Sequence, residues 1–178
     1  MVSRGIEIDE LDKLILSELS KDSTKGYTKI AENLQRSHTT IKKHIDRLVN
    51  KGIIKKYTIE IDYEKLGYDI IAIIEISISQ GKLIEFEEII ARHPNVFGVW
   101  DVTGDYDALV LVRFKTRKEL SELIKIILGS GYVIRTNTHV VLNPMKDGTD
   151  YGKIVEFEKQ NITTEDILKF LKTSEDIH

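Results

Sequence analysis

The spacing of apolar residues changes partway along this 178-residue chain, and that change excludes a fold built from one kind of element. Up to about residue 50 they recur every three or four positions, the period of a helix with one buried face. From residue 70 they also recur at every second position, the period of a half-buried strand. The first stretch reads as three short helices. Residues 8–19 place Leu11, Leu14, Ile15 and Leu19 on one face; Asp9 can cap this helix, with Asp12 as its capping-box partner. Residues 27–34 carry Ile30, Ala31 and Leu34 as a buried stripe, with Thr28 near the start. After a turn at Gln35 and Arg36, Ser37 can cap a third helix running to about Asn50, with Ile41, Ile45, Leu48 and Val49 facing in. Gly52 is a fitting stop. Residues 53–62 then alternate toward a strand, with Tyr57, Ile59 and Ile61 on one face.

Three short helices with a tight turn between the second and third make a helix-turn-helix. The polar face of the third helix carries Thr39, Thr40, Lys42, Lys43, Asp46 and Arg47. Hydroxyls near a helix N-terminus reach phosphates or base edges, and Lys and Arg one turn further neutralise phosphate or read guanine in a major groove. An ordinary solvated amphipathic helix has the same outline. Charge favours the first reading. The whole chain has a net charge of −3, yet between Arg36 and Lys56 seven basic residues stand against the single acid Asp46. A local basic patch on a mildly acidic protein is what a directed nucleic-acid contact needs. Ser37, His38, Thr39, Thr40, Lys42, Lys43 and Arg47 are therefore the candidate contacts to double-stranded DNA.

Beyond a hinge at residues 63–67 the pattern alternates strand and helix. Strands are expected over residues 70–79, 96–103, 107–114 and 133–142, and helices over 82–92 and 118–128. Gly104 to Tyr106 forms a tight turn between the second and third strands. The order is βαββαβ, the ferredoxin-like arrangement, with helices over one sheet face only. The other face must be covered, and a homodimer formed through it is the economical solution. Phe97 and Trp100 are expected in that interface or in the core. The fold class is thus α+β: a winged-type helix-turn-helix domain (residues 1–57), a strand and hinge (58–67), a ferredoxin-like domain (68–145) and a C-terminal extension (146–178). Within the extension, residues 161–172 have a sparse apolar face that fits one more helix.

Several function classes find no support. The chain has no cysteine, which removes disulfides, thiolate nucleophiles and cysteine metal sites. Its five histidines do not fall at zinc-ligand spacing, and His139 is expected to be packed or hydrogen-bonded. There is no phosphate-cradling glycine loop, nucleophile elbow or pair of catalytic carboxylates. No catalytic residue, metal or cofactor is expected. No apolar run approaches the length of a membrane span, and the acid-rich first twelve residues do not look like a leader, so the expected location is cytoplasmic.

These residues resemble the Lrp/AsnC, or feast/famine, transcription regulators. The likeness rests on Ile8-Asp9-Glu10-Leu11-Asp12 with Ile15-Leu16, on Ile30-Ala31, Ser37, Thr40-Ile41, Arg47-Leu48 and Gly52-Ile53-Ile54, and on Leu66-Gly67 at the hinge. In the second half it centres on Val102-Thr103-Gly104-Asp105-Tyr106-Asp107, with Thr136 and Thr138 on the last strand. It covers roughly residues 8–145. The resemblance implies a dimer built by the C-terminal sheets, assembled further into even-numbered oligomers. It implies that an amino acid or related metabolite binds between dimers, with Gly104, Asp105, Tyr106, Asp107, Thr136 and Thr138 as the effector residues. In that family an arginine is usual where this chain has His44 and frequent near Thr24 or Lys25, and most of the segment after Lys146 is lacking.

The residues themselves are compatible with that role. Gly104 permits a close approach, turn amides can hold a carboxylate, and Asp105 or Asp107 can pair with an ammonium. A plain hairpin turn has the same composition. Two other readings stay open: an enzyme resembling the sirohaem decarboxylases on the same scaffold, and an effector-sensing module without DNA binding. The Gly104–Asp107 turn argues against the first and the basic third helix against the second.

Overall fold

Asp9 starts the first helix through the reciprocal bonds its spacing from Asp12 allows. Its carboxylate accepts the Asp12 N–H at 2.9 Å, and the Asp12 carboxylate accepts the Asp9 N–H at 3.1 Å. The structure is a computed structural model that describes residues 7–146 and 151–159. Its elements are α1 (Glu10–Lys21), α2 (Tyr27–Leu34), α3 (His38–Asn50), β1 (Ile70–Ile78), α4 (Leu83–Ile90), β2 (Val96–Asp101), β3 (Ala108–Phe114), α5 (Arg117–Gly129), β4 (Val133–Val140) and α6 (Tyr151–Lys159). They fall into two units, divided between Ile59 and Glu60, and α6 groups with the first unit.

In the first unit, Ile15 from α1, Ile30 and Ala31 from α2, and Ile41, Ile45 and Leu48 from α3 close one small core. The α2–α3 turn is tight because Gln35 takes a left-handed conformation at φ 53°, and Arg36 N–H returns to Ala31 O at 2.9 Å. Ser37 caps α3 by accepting the Thr40 N–H at 3.1 Å. Gly52, at φ 69°, ends it, and the next two amides donate to Leu48 O.

Two expectations fail here. Val49, expected to face in, is 44% exposed, because the buried ridge runs through Ile41, Ile45 and Leu48 and leaves Val49 beside it. The strand expected over residues 53–62 does not form: no residue there joins a ladder, and Tyr57, Ile59 and Ile61 are exposed. Alternation provides an apolar face, but a strand also needs a neighbour for its backbone groups, and this segment has none among the described residues.

The second unit is a four-stranded antiparallel sheet of order β2-β3-β1-β4. Alternate residues of the two central strands, Ala72, Ile74, Ile76 and Ile78 with Ala108, Val110, Val112 and Phe114, are buried under α4 and α5. Phe86 and Ile90 of α4, and Leu120, Leu123 and Ile127 of α5, close this core from above. Thr116 caps α5 in a second capping box with Glu119. The helix expected over residues 161–172 lies outside the described residues.

Candidate nucleic-acid interface and effector turn

The third helix presents its polar face unevenly. His38, Thr39, Lys42 and Lys43 are exposed, and Thr39, Lys42 and Lys43 line one shallow groove along α3 with Asp46, Arg47, Asn50 and Lys51. Ser37 is exposed, but its hydroxyl is engaged as the helix cap, and the half-buried Thr40 Oγ1 sits 2.8 Å from it. The His38 ring stands edge-on to Tyr27 at 5.6 Å, tying the start of α3 to α2.

Arg47 behaves differently from the other candidates. Its guanidinium turns back on α1, donating to Asp9 at 2.7 Å and to Asp12. His44 Nδ1 lies 2.9 Å from the other Asp12 oxygen. Asp12 is 1% exposed, so the buried carboxylate that caps α1 also fastens α3. The Arg47 hydrogen bond, then the backbone bond from Asp12, hold the Asp9 carboxyl below its ordinary range. For Asp12, burial pushes upward, but the bonds to Arg47 and His44 outweigh it and the net shift is also downward. Arg47 is thus a brace between α1 and α3 before it is a DNA contact.

Asp9, Asp12 and His44 converge closely enough to hold a cation. The Arg47 guanidinium already donates to both carboxylates, so the cluster is held together as an internal ion-pair network. The juxtaposition is not legible in the sequence, where His44 lies 32 residues from Asp12. The pattern does carry a hint for Asn50 and Lys51, which continue the one-turn spacing of Lys42–Asp46 and Lys43–Arg47.

In the second unit, Gly104 takes φ 129° in the β2–β3 turn, a conformation that strains any side chain. Val102 N–H donates to Asp107 O at 3.0 Å and closes the hairpin. The Asp107 carboxylate accepts the Ile78 N–H at 2.7 Å, where the β1–β4 register shifts, so it secures β1. Asp105 O accepts from Arg135 Nη2 at 3.0 Å and from Ser77 Oγ at 3.4 Å, and the Arg135 guanidinium lies 4.7 Å from the Tyr106 ring centre. Thr136 stands opposite Ile76 and Thr138 opposite Ile74, which puts both threonines on the helix-covered face. The turn therefore meets Ser77 and Arg135 of its own chain, while Thr136 and Thr138 lie on the other side of the sheet. Alternation along β4 is the available signal for Arg135, which precedes Thr136 and so faces the opposite way.

The sheet face without helices carries Ile71, Ile73, Leu109 and Leu111, with Trp100 at 53% exposure. Polar groups interrupt it. Asn137 Nδ2 donates to Glu75 at 2.8 Å and His139 Nε2 lies 3.1 Å from the same oxygen. His139 first, then Asn137, holds the Glu75 carboxyl below its ordinary range.

The profile of the winged helix-turn-helix DNA-binding domain matches residues 8–55, and that of the Lrp/AsnC ligand binding domain matches residues 71–151. An uncharacterized HTH-type transcriptional regulator of Pyrococcus furiosus is 42% identical over 142 residues, covering 80% of this chain and 96% of its own. The structure of Escherichia coli AsnC superposes with a TM-score of 0.75 at 26% identity, covering 82% of this chain and 99% of that one. A Neisseria meningitidis transcriptional regulator, solved as an L-Met complex, has the same fold, with a TM-score of 0.75 at 21% identity and coverage of 81% and 96%.

Proposed function

Since the chain belongs to the Lrp/AsnC family of helix-turn-helix transcription regulators, we propose that it reads operators through the exposed Thr39–Lys42–Lys43 face of α3, as a dimer joined by its open sheet faces. The observation that carries this reading is the contrast within α3: Lys42 and Lys43 stand out side by side while Arg47 and His44 grip α1. A helix braced on one flank and cationic on the other can enter a major groove without reorganising. His38 and Thr39 at its N-terminus reach base or phosphate, and Ser37 and Thr40 contribute mainly by holding that end in shape. Lys51 and Asn50 extend the footprint toward the backbone. A retardation assay with the DNA upstream of the protein's own gene tests this. A shift that competitor of unrelated sequence does not remove supports it, and indifference to every promoter fragment overturns it.

The second part of the proposal is an amino-acid effector bound between dimers. Gly104 leaves the turn open, the Asp105 carboxylate is exposed, and the Asp107 carboxylate is spent on β1, so Asp105 is the ammonium partner. Tyr106 is fixed by Arg135, and Thr136 and Thr138 serve a neighbouring subunit's turn rather than their own. The L-Met bound to the Neisseria regulator supports this ligand class. The effector then biases one even-numbered assembly over another, by no more than its difference in affinity between them. Light scattering with each amino acid in turn tests it: a change in mass for one or a few supports the proposal, and no change in mass or operator affinity for any overturns it. On this reading the turn binds and does no chemistry, and the protein works in the cytoplasm beside its DNA.

A further inference from the structure

Helix α1 is covered on two opposite sides. Leu11, Ile15 and Leu19 form one ridge at one-turn spacing and face the helix-turn-helix core. Lys13, Ser17 and Lys21 form another, about half a turn around the axis, and α6 lies against it. Lys13 Nζ is 3.7 Å from Glu158 and Lys21 Nζ is 3.1 Å from Glu156. Between the two lysines Ser17 is buried, and on α6 Gly152 and Val155 are buried, Val155 to 3% exposure. Burial raises the Tyr151 hydroxyl pKa, with the nearby Glu158 charge adding to it. Small residues at a helix crossing with ion pairs on its flanks make a fitted contact.

The segment that makes this contact lies almost wholly past the end of the ligand-binding profile. The Pyrococcus furiosus regulator is matched over 96% of its own length by 80% of this chain, and the ligand-binding profile ends at residue 151. The route of the chain gives the contact a consequence. The chain leaves the DNA-binding unit after Ile59, enters the sheet at Ile70, leaves it at Val140 and returns to the DNA-binding unit as α6. Entry and exit are neighbours, since Val141 N–H donates to Ile71 O at 2.9 Å. The exit strand is β4, which carries Arg135, Thr136 and Thr138.

We propose that α6 is a fourth helix of the DNA-binding unit and a second tether to the sheet, linking β4 to the back of α1 so that each recognition helix has less freedom to reposition. The docking follows from the contacts above; the effect on repositioning rests on the proposed dimeric reading of DNA. Operators with altered half-site spacing are then rejected more strongly by this chain than by the same chain with α6 released.

Hydrogen exchange and operator binding on the full-length protein test the two parts separately, using wild type, Val155→Asp, and a variant ending at residue 146. Glu156→Lys, alone and with Lys21→Glu, is a milder probe. Val155→Asp should speed exchange in α6 at least ten-fold and raise it along α1, leaving β1 and β3 unchanged. Truncation should have the same effect on α1, and the double charge reversal should restore the protection that Glu156→Lys removes. Exchange in α6 as fast as in a free peptide in the wild type, or α1 protection indifferent to truncation, would overturn the docking. For the tether, operators whose half-sites are moved by about five base pairs, half a helical turn, should lose less affinity with Val155→Asp than with wild type. Equal losses would overturn it. If the wild type binds no operator at all, the DNA-binding reading fails, while the exchange data still judge the docking.

Discussion

The two units complete themselves to different degrees. The helical unit closes within one chain: six buried apolar side chains make its core, α1 is covered on both sides, and its buried charge, Asp12, is bonded by Arg47 and His44. The sheet unit buries one face thoroughly and leaves Trp100, Leu109, Leu111 and Ile73 on the face that α4 and α5 do not cover. Its polar groups on that face, Glu75, Asn137, His139 and Arg135, bond mainly to one another or to the turn. The lesson is a division of labour. One unit is a self-contained piece with an exposed contact surface; the other, on the dimeric reading proposed above, is finished only when another copy arrives.

The largest expected effect probes whether the units are separate. Ile15 is fully buried in the helical core, so Ile15→Ala should cost about 2–5 kcal/mol there. In calorimetry or residue-resolved exchange the loss should fall on α1–α3 and spare the sheet; equal losses in both units would erase the distinction drawn above.

Asp12→Ala sharpens the account of the brace. Removing the buried carboxylate takes away the 2.9 Å partner of His44 and leaves Arg47 with Asp9 alone, and should cost about 1–3 kcal/mol. The pH dependence follows from the direction of the shifts. Asp9 and Asp12 both titrate below the ordinary aspartate value of 3.8, so their contribution is complete above that value and is lost as pH falls through their folded values. Acid titration of helical-unit stability should decline in that window for the wild type and flatten for Asp12→Ala.

Trp100→Asp tests the unfinished face. It should weaken self-association by about 2 kcal/mol, roughly thirty-fold, while the protomer stays folded, as read by sedimentation. An unchanged dimer would place the contact elsewhere. The smallest effect belongs to the turn. Gly104→Ala has open space for its methyl group but must hold φ 129°, which should cost about 1 kcal/mol of sheet-unit stability by denaturant titration.

Most of the helical unit is legible in the sequence because its determinants are local. The Asp9–Asp12 capping box, Ser37 as cap and Gly52 as stop act within one or two turns, and spacing alone locates them. The buried face of the sheet is legible because alternation in β1 and β3 leaves one way to bury Ile74, Ile76, Val110 and Val112. What local spacing cannot supply is set by distant neighbours. The segment at 53–62 alternates like a strand but has no strand to pair with among the described residues. A helical wheel puts Arg47 on the polar face of α3 but does not reveal its bond to Asp12, 35 residues away in sequence. Thr136 and Thr138 fall on the face away from Arg135 because register, not composition, decides the side.

The central claim is that Lys42 and Lys43 meet DNA phosphate or base edges while the fold does not depend on them. The direct measurement is operator affinity as a function of salt for the wild type and for Lys42→Ala/Lys43→Ala, with Arg47 left in place. The log–log slope should fall by about 0.9 for each phosphate that is no longer neutralised, and affinity should drop while the helical unit's stability stays the same. A double variant with wild-type slope and affinity would contradict the account.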